Sequence, residues 1–205
     1  MRTYVLIGGI GSGKSTVANM LRDRGASCID LDLVGHEILE SRDAISELVA
    51  AFGEKVLAAD GSIDRKALAR EAFATPQATS TLNSITQPRI VVRALDMLQE
   101  LEEQGCPIAI VEISPFEGPD GVFAPIVNVS KGIVAVTAPT EARISRAVAR
   151  GFAESDVRNR IERQATDEQR ASWADIVLEN AGTVGDLQCS VDDAWSHMTA
   201  GKGEC

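Results

Sequence analysis

The stretch GGIGSGKST, residues 8–16, constrains this chain more than any other part of its 205 residues. It has the pattern Gly-x-x-x-x-Gly-Lys-Ser, with an apolar, β-rich segment before it and a segment of helical periodicity after it. Glycines let successive backbone N–H groups turn toward one point without Cβ clashes, and the N-terminus of the helix adds a positive dipole. The stretch therefore predicts a P-loop, a concave site for the phosphates of a nucleoside triphosphate.

The side chains of this motif predict ATP and Mg²⁺ as cofactors. Lys14 supplies positive charge to the β- and γ-phosphate oxygens, the Ser15 hydroxyl is placed to ligate Mg²⁺, and Thr16 is expected at the α-phosphate. The predicted nucleotide-binding residues of the loop are Gly8, Gly9, Ile10, Gly11, Ser12, Gly13, Lys14, Ser15 and Thr16.

The P-loop alone does not separate ATPases, GTPases and small-molecule kinases. The chain has no Asn-Lys-x-Asp sequence of the kind that reads guanine, and it is short for a motor or transporter ATPase. A compact phosphotransferase is therefore favoured.

The order of the apolar segments predicts an α/β fold with a five-stranded parallel sheet flanked by helices. The β-rich segments are residues 3–7, 27–29, 107–114, 132–138 and 176–179. Between the second and third segments the patterns are helical, apart from a possible short hairpin around residues 60 and 61. The long helix that ends this stretch is expected to start after Pro88. Since a crossover between parallel strands needs only about a dozen residues, residues 33–105 are predicted to be a helical insertion in a single domain, residues 1–205.

Two carboxylates, Asp30 and Asp32, follow the second strand. The carboxyl ends of parallel strands open into the ligand crevice, so a carboxylate there is expected near the phosphates. Asp32 is therefore predicted to accept the proton of an attacking hydroxyl. The alternative is that these residues cap the helix expected from Leu33, which is favoured for Asp30.

Arginine is concentrated near the end of the chain. Residues 143–170 contain seven arginines and five acidic residues, whereas the whole chain has a net charge of −10. Guanidinium groups bind phosphate in a bidentate manner, so Arg146 and Arg150 are predicted to act in a lid at about residues 140–165. An ordinary solvent-exposed face with ion pairs is the alternative. The seven are Arg143, Arg146, Arg150, Arg158, Arg160, Arg163 and Arg170.

Composition and charge exclude several other classes. The negative net charge argues against a general nucleic-acid binder, and no apolar run approaches the roughly 20 residues of a membrane span. With no signal-peptide pattern either, a cytoplasmic protein is expected. The four cysteines are scattered, which predicts neither a disulfide framework nor a zinc site. Oligomeric state is not indicated.

Motifs along residues 3–195 together resemble those of dephospho-CoA kinases. They are GGIGSGKSTVANML, IDLD in the second strand, AADG followed by I-x-R-x-x-L, R-x-x-x-R in the expected lid, and RIERQATDEQR with a later AD-x-x-x-x-N-x-G. The resemblance implies a P-loop kinase fold with a helical lobe for the acceptor and a lid. It also implies transfer of the ATP γ-phosphate to the ribose 3′-hydroxyl of dephospho-CoA, the last step of coenzyme A synthesis.

The same resemblance implies roles for individual residues. Asp32 would be the base on the 3′-hydroxyl, Arg146 and Arg150 would be lid residues, and the turn containing Asn180 and Gly182 would lie near the adenine. The insertion at residues 33–105 would hold much of the acceptor.

Three departures from the family pattern bear mainly on the acceptor. Ile7 stands where Thr is usual, Gln87 stands where His is expected, and EISPFEGPDG replaces the pattern D-I/V-P-L-L-x-E. Within that last segment, Glu112 is a candidate for the acidic residue near Mg²⁺. Two alternatives stay open: a P-loop kinase for another small hydroxyl acceptor, and a nucleotide-binding paralogue with little turnover.

Overall fold

A parallel sheet forms the centre of the fold in the computed structural model, which describes residues 1–200. Every pair of neighbouring strands is parallel, in the order β2-β3-β1-β4-β5. The prediction of a five-stranded parallel sheet is therefore confirmed. The strands are β1 (Arg2–Gly8), β2 (Ser27–Asp30), β3 (Ile108–Ile113), β4 (Ile133–Thr137) and β5 (Ile176–Glu179).

Helices occupy most of the remaining described residues. They are α1 (Lys14–Asp23), α2 (Leu31–Ile38), α3 (Arg42–Phe52), α4 (Arg65–Ala72), α5 (Pro76–Glu103), α6 (Ala124–Val129), α7 (Thr140–Ala149), α8 (Glu154–Arg163), α9 (Asp167–Trp173) and α10 (Val184–Thr199). A short 3-10 turn covers Glu54–Val56. Among residues 1–200, none of the helices has the length and apolar content that crossing a lipid bilayer needs.

The chain divides into two compact units. One contains Met1–Asp30 and the described residues from Met97 onward, and the other is Leu31–Asp96. The second unit has its own apolar core, formed by Leu48, Val56, Leu68, Ala72 and Ile85.

The core of the first unit lies against one face of the sheet. Leu6, Ile110 and Val136 are fully buried there, and they pack with Val17 of α1 and Val191 of α10. Burial of a side chain of this size stabilises a fold by roughly 1.5–3 kcal/mol. The strand that leads into the glycine-rich loop is therefore fixed along its whole length, which gives the loop a rigid starting point.

The long helix α5 differs from the prediction, which placed its start after Pro88. It begins at Pro76, thirteen residues before Arg89, and runs through Pro88. Proline removes one helical hydrogen bond and usually ends a helix. Here Ile85 and Val91 are buried on either side of Pro88, and the Arg89 side chain donates to the Ile85 carbonyl at 2.5 Å. Burial therefore outweighs the local cost of the proline.

The second helix also differs from the prediction. It begins at Leu31 rather than at Leu33, so Asp32 lies inside its first turn instead of preceding it. A carboxylate in a first turn is stabilised by the free N–H groups and the dipole of the helix. The expected hairpin near residue 60 is confirmed as a single antiparallel bridge between Leu57 and Ile63.

Candidate nucleotide-binding site

The loop between β1 and α1 has the backbone conformation that the glycine pattern predicts. Gly11 and Gly13 have φ angles of +74° and +100°, which are left-handed values that favour glycine. The Ser12 N–H donates to the Gly9 carbonyl at 3.1 Å and closes the turn. Helix α1 then begins at Lys14, so its free N–H groups lie at the end of the loop.

Both polar backbone groups of Ile10 are bound by side chains from the segment predicted as the lid. Its N–H donates to Gln164 Oε1 at 3.0 Å, and its carbonyl accepts from Arg143 Nε at 3.0 Å. The Ile10 side chain packs against the small apolar cluster that contains Ile144 and Val157. The start of the loop is therefore held by its backbone and by its side chain.

The end of the loop is held by Asn180, directly after β5. Its Nδ2 donates to the Ser12 carbonyl at 2.8 Å. Arg146 in turn donates from Nη2 to the Asn180 carbonyl at 3.0 Å and to Asn180 Oδ1 at 3.2 Å. Two predicted site residues thus meet at the loop, and Arg146 orients the amide that contacts it.

Close packing explains why glycine is needed at several of these positions. A Cβ on Gly11 would stand 2.7 Å from the Arg143 carbonyl carbon, and one on Gly9 would stand 2.8 Å from Arg143 Cζ. A Cβ on Gly13 would collide with the Asn180 amide. The glycines therefore provide room for neighbouring groups as well as conformational freedom.

A buried ion pair lies beside the loop. Lys14 Nζ is 3.1 Å from Glu112 Oε2, and the two side chains are only 12% and 4% exposed. Arg22 is a second, more distant cation, at 4.0 Å from Glu112 Oε1. Glu112 is placed by the sheet register, opposite Leu6 of β1 and Asp30 of β2.

A second charged cluster lies next to Gly9. Asp167 Oδ1 accepts from Arg170 at 2.7 Å and from Arg143 at 3.4 Å, and both arginines are 3% exposed. Burial lowers the pKa of the Arg143 guanidinium, Asp167 raises it, and Arg170 lowers it. Arginine nevertheless stays protonated in proteins. Two cations therefore share one carboxylate against the loop.

Arg143 also lines a polar cavity. The cavity has a volume of about 470 Å³, and its lining includes Thr137, Thr140, Arg143, Asp167 and Glu179. Residues 8–16 do not line it. Among the described residues, Arg143 Nη2 has no hydrogen-bond partner.

Five further predicted site residues are exposed or lie in the second unit. Ser15 and Thr16 are exposed in the first turn of α1, and Gly182 is exposed after β5. Arg150 is exposed at the end of α7. Asp32 is in the second unit, in the first turn of α2. Roles in catalysis, nucleotide binding and metal binding stay predictions for these residues.

Sequence reasoning missed four residues that hold the loop or its surroundings. Arg143 and Arg170 were grouped with the other arginines but not singled out, and Gln164 and Asp167 appeared only as letters of RIERQATDEQR. The available signal was their presence in one short polar segment. Within residues 1–200, no group of three or more His, Cys, Asp or Glu side chains could hold a metal ion by itself.

Comparison with known proteins identifies the family. The sequence profile of the dephospho-CoA kinases matches residues 3–186. This chain belongs to the dephospho-CoA kinase family. The dephospho-CoA kinase of Corynebacterium jeikeium is 43% identical over 200 residues, which cover 97% of this chain and all of that relative. The resemblance drawn from the motifs is therefore confirmed.

Solved structures agree with the fold. A crystal structure from Thermus thermophilus has a TM-score of 0.78 at 31% identity and covers 97% of this chain and 98% of its own. The dephospho-CoA kinase of Campylobacter jejuni has a TM-score of 0.68 at 23% identity, covers 98% of each chain, and supports the fold alone. The P-loop kinase fold expected from the sequence is thus confirmed.

Proposed function

We propose that this chain transfers the γ-phosphate of ATP to the ribose 3′-hydroxyl of dephospho-CoA, the reaction of its family in coenzyme A biosynthesis. The family match supports the reaction. The observation that carries the proposal for this chain is the loop of residues 8–16, in which left-handed glycines lead into a helix that starts at Lys14. Such a loop presents backbone N–H groups and one cation to a polyphosphate.

The nucleotide would occupy the loop from Gly8 to Thr16. Lys14 would lie against the β- and γ-phosphate oxygens, where its charge offsets the negative charge of the transferring group. Glu112 holds this lysine in a nearly buried position beside the loop. Asn180, which contacts the loop and Arg146, would lie between the phosphates and the adenine end of the nucleotide.

The residues beside the loop also fit Mg²⁺. Magnesium prefers oxygen ligands and is usually bound by one or two protein groups together with substrate phosphates and water. The exposed Ser15 hydroxyl and the buried Glu112 carboxylate are oxygen donors of this kind. We assign them as the protein ligands, and bound Mg²⁺ would neutralise charge on the phosphate oxygens.

We assign proton removal to Asp32. Its carboxylate lies in the first turn of α2, directly after the second strand of the sheet. General-base catalysis by such a group contributes roughly 10²- to 10⁴-fold to the rate. Arg146 and Arg150 would act in a lid at about residues 140–165, and residues 33–105 would bind much of the acceptor.

A coupled ADP-release assay with dephospho-CoA, other ribosides and no acceptor tests this function. We expect turnover that depends on dephospho-CoA. Turnover with another riboside alone would instead identify a different acceptor, and ATP binding without any turnover would identify a nucleotide-binding protein.

Two variants test the residue roles within that assay. Lys14→Ala should nearly abolish transfer, and Asp32→Asn should lower kcat by roughly 10²-fold or more with ATP affinity retained. Lys131→Ala is a control for loss of an exposed lysine, and Asp43→Asn is a control for loss of a carboxylate from a first helical turn. If Asp32→Asn keeps full kcat, Asp32 is not the base.

A further inference from the structure

Three side chains from the last third of the chain bind backbone groups of the P-loop. Gln164 accepts from the Ile10 N–H, Arg143 donates to the Ile10 carbonyl, and Asn180 donates to the Ser12 carbonyl. These contacts lie at 3.0, 3.0 and 2.8 Å. Together they hold three different peptide groups of a nine-residue loop.

Each contact fixes the direction of either the carbonyl or the N–H of one peptide group, and this also fixes the direction of the other. In a trans peptide the carbonyl and the following N–H point in opposite directions. A carbonyl of Ile10 that faces Arg143 therefore turns the Gly11 N–H away from Arg143. In the same way, a carbonyl of Ser12 that faces Asn180 turns the Gly13 N–H away from Asn180.

The contact from Gln164 binds a backbone N–H, whereas the other two bind carbonyls. Because the Ile10 N–H faces Gln164, the Gly9 carbonyl on the other side of that peptide group points away from Gln164. This carbonyl accepts the Ser12 N–H at 3.1 Å, which is the bond that closes the turn. The Ile10 N–H itself is thereby engaged by protein rather than directed at a ligand.

We infer that Gln164 and Arg143 are positioning residues that set the direction of the P-loop amides, and that Asn180 completes the set. The inference rests on the proposed binding of ATP at this loop. These residues orient the donors: Arg143 and Asn180 direct the Gly11 and Gly13 amides, and Gln164 stabilises the turn that brings those amides together.

The surroundings of Arg143 support a positioning role. Arg143 is 3% exposed, and its Nη1 donates to Asp167, which also accepts the Ala138 N–H at 3.1 Å. Asp167 is held in turn by Arg170 at 2.7 Å. Asp167 thus holds the guanidinium from α9, and Arg143 Nε faces the Ile10 carbonyl.

The experiment measures the affinity of Mg-ATP and of inorganic tripolyphosphate by calorimetry without any acceptor. Gln164→Leu keeps the approximate size of the side chain and removes the acceptor oxygen. Arg143→Met removes the donor, whereas Arg143→Lys keeps a cationic donor. Gln188→Leu, at an exposed position of α10, is the matched control for the glutamine change.

The affinities for both ligands should fall by the same factor, because the variants misdirect amides that bind the phosphates. We expect a loss of about 10-fold for Gln164→Leu and 10-fold or more for Arg143→Met, with part of that loss recovered in Arg143→Lys and none seen in Gln188→Leu. The KM for dephospho-CoA should not change in any variant.

An unchanged affinity for tripolyphosphate in folded Gln164→Leu would overturn the inference, even if its melting temperature fell. If Arg143→Met does not fold, Gln164→Leu and Arg143→Lys still decide the question. Since binding is measured without an acceptor, a wrong assignment of dephospho-CoA would leave this result intact, and the two proposals fail separately.

Discussion

Replacing Gly11 by alanine tests the close approach between the P-loop and helix α7. The new Cβ would stand 2.7 Å from the Arg143 carbonyl carbon and 2.8 Å from its Cα, whereas real Cβ atoms essentially never come within 3.0 Å of another heavy atom. The obstacle is backbone, which cannot rotate away as the end of a side chain can. Gly11 also has a φ of +74°, which alanine adopts only at a cost.

Gly25→Ala provides a matched control. Gly25 has a φ of +104°, but a Cβ there would meet nothing within 4 Å. The left-handed conformation costs alanine about 1–2 kcal/mol, and the stiffer unfolded chain offsets about 0.4–1 kcal/mol of this, which leaves about 1 kcal/mol. Gly11→Ala carries the same cost plus about 1–3 kcal/mol for overpacking, so we expect it to lower the free energy of unfolding by about 2–4 kcal/mol.

Urea denaturation measures both losses, and calorimetry measures Mg-ATP binding. We expect Gly11→Ala to weaken binding at least about 10-fold, because the displaced loop misdirects an amide donor, and Gly25→Ala to bind normally. Equal free energies of unfolding for the two variants, together with normal ATP binding by Gly11→Ala, would show that the helix backbone does not approach the loop as described.

Four further predictions concern a metal ligand, a helix cap, acid stability and thiol reactivity. Glu112→Gln should raise the Mg²⁺ concentration needed for half-maximal turnover, because it removes the buried charge beside the P-loop lysine; an unchanged magnesium titration would remove Glu112 as a ligand. Thr183→Ala should lower the free energy of unfolding by about 1 kcal/mol in urea, with Thr183→Ser close to wild type, because it breaks the capping box of α10. Backbone N–H groups at the start of α4 lower the pKa of Asp64 in the folded protein. Its carboxylate therefore stabilises the fold fully above its ordinary pKa of about 4, and this stabilisation is lost as the pH falls through the lower pKa of the folded state. Asp64→Asn should therefore lose less stability than wild type on acidification, measured as urea midpoints at neutral and acidic pH. Alkylation at pH 8, followed by peptide mass spectrometry, should modify exposed Cys189 before Cys28, whose thiol pKa is raised by burial; the reverse order would contradict the burial of Cys28.

Features encoded by local patterns were predicted well from the sequence. The strand ends were placed within one residue for every strand, because buried parallel strands are short continuous apolar runs. The short hairpin around residues 60 and 61 was also predicted correctly, since it depends on a few neighbouring residues. The P-loop belongs to this group.

Features set by distant contacts were not predicted. The continuation of α5 through Pro88 depends on burial of Ile85 and Val91, which local propensity does not encode. Likewise, nothing in the spacing of Gln164 shows that its side chain reaches Ile10, 154 residues earlier. Pairing of Lys14 with Glu112 required the register of β3 against β1, which the sequence alone does not fix.

The contacts that orient the P-loop are among the most distant in sequence that the fold contains. They join residues separated by 133, 154 and 168 positions. Contacts of such separation close long loops of chain, which costs conformational entropy. A nascent chain that has not yet reached Arg143 therefore carries the whole glycine motif without any of the side chains that orient it. Grafting those nine residues onto another strand and helix would transfer the letters of the motif but not its shape.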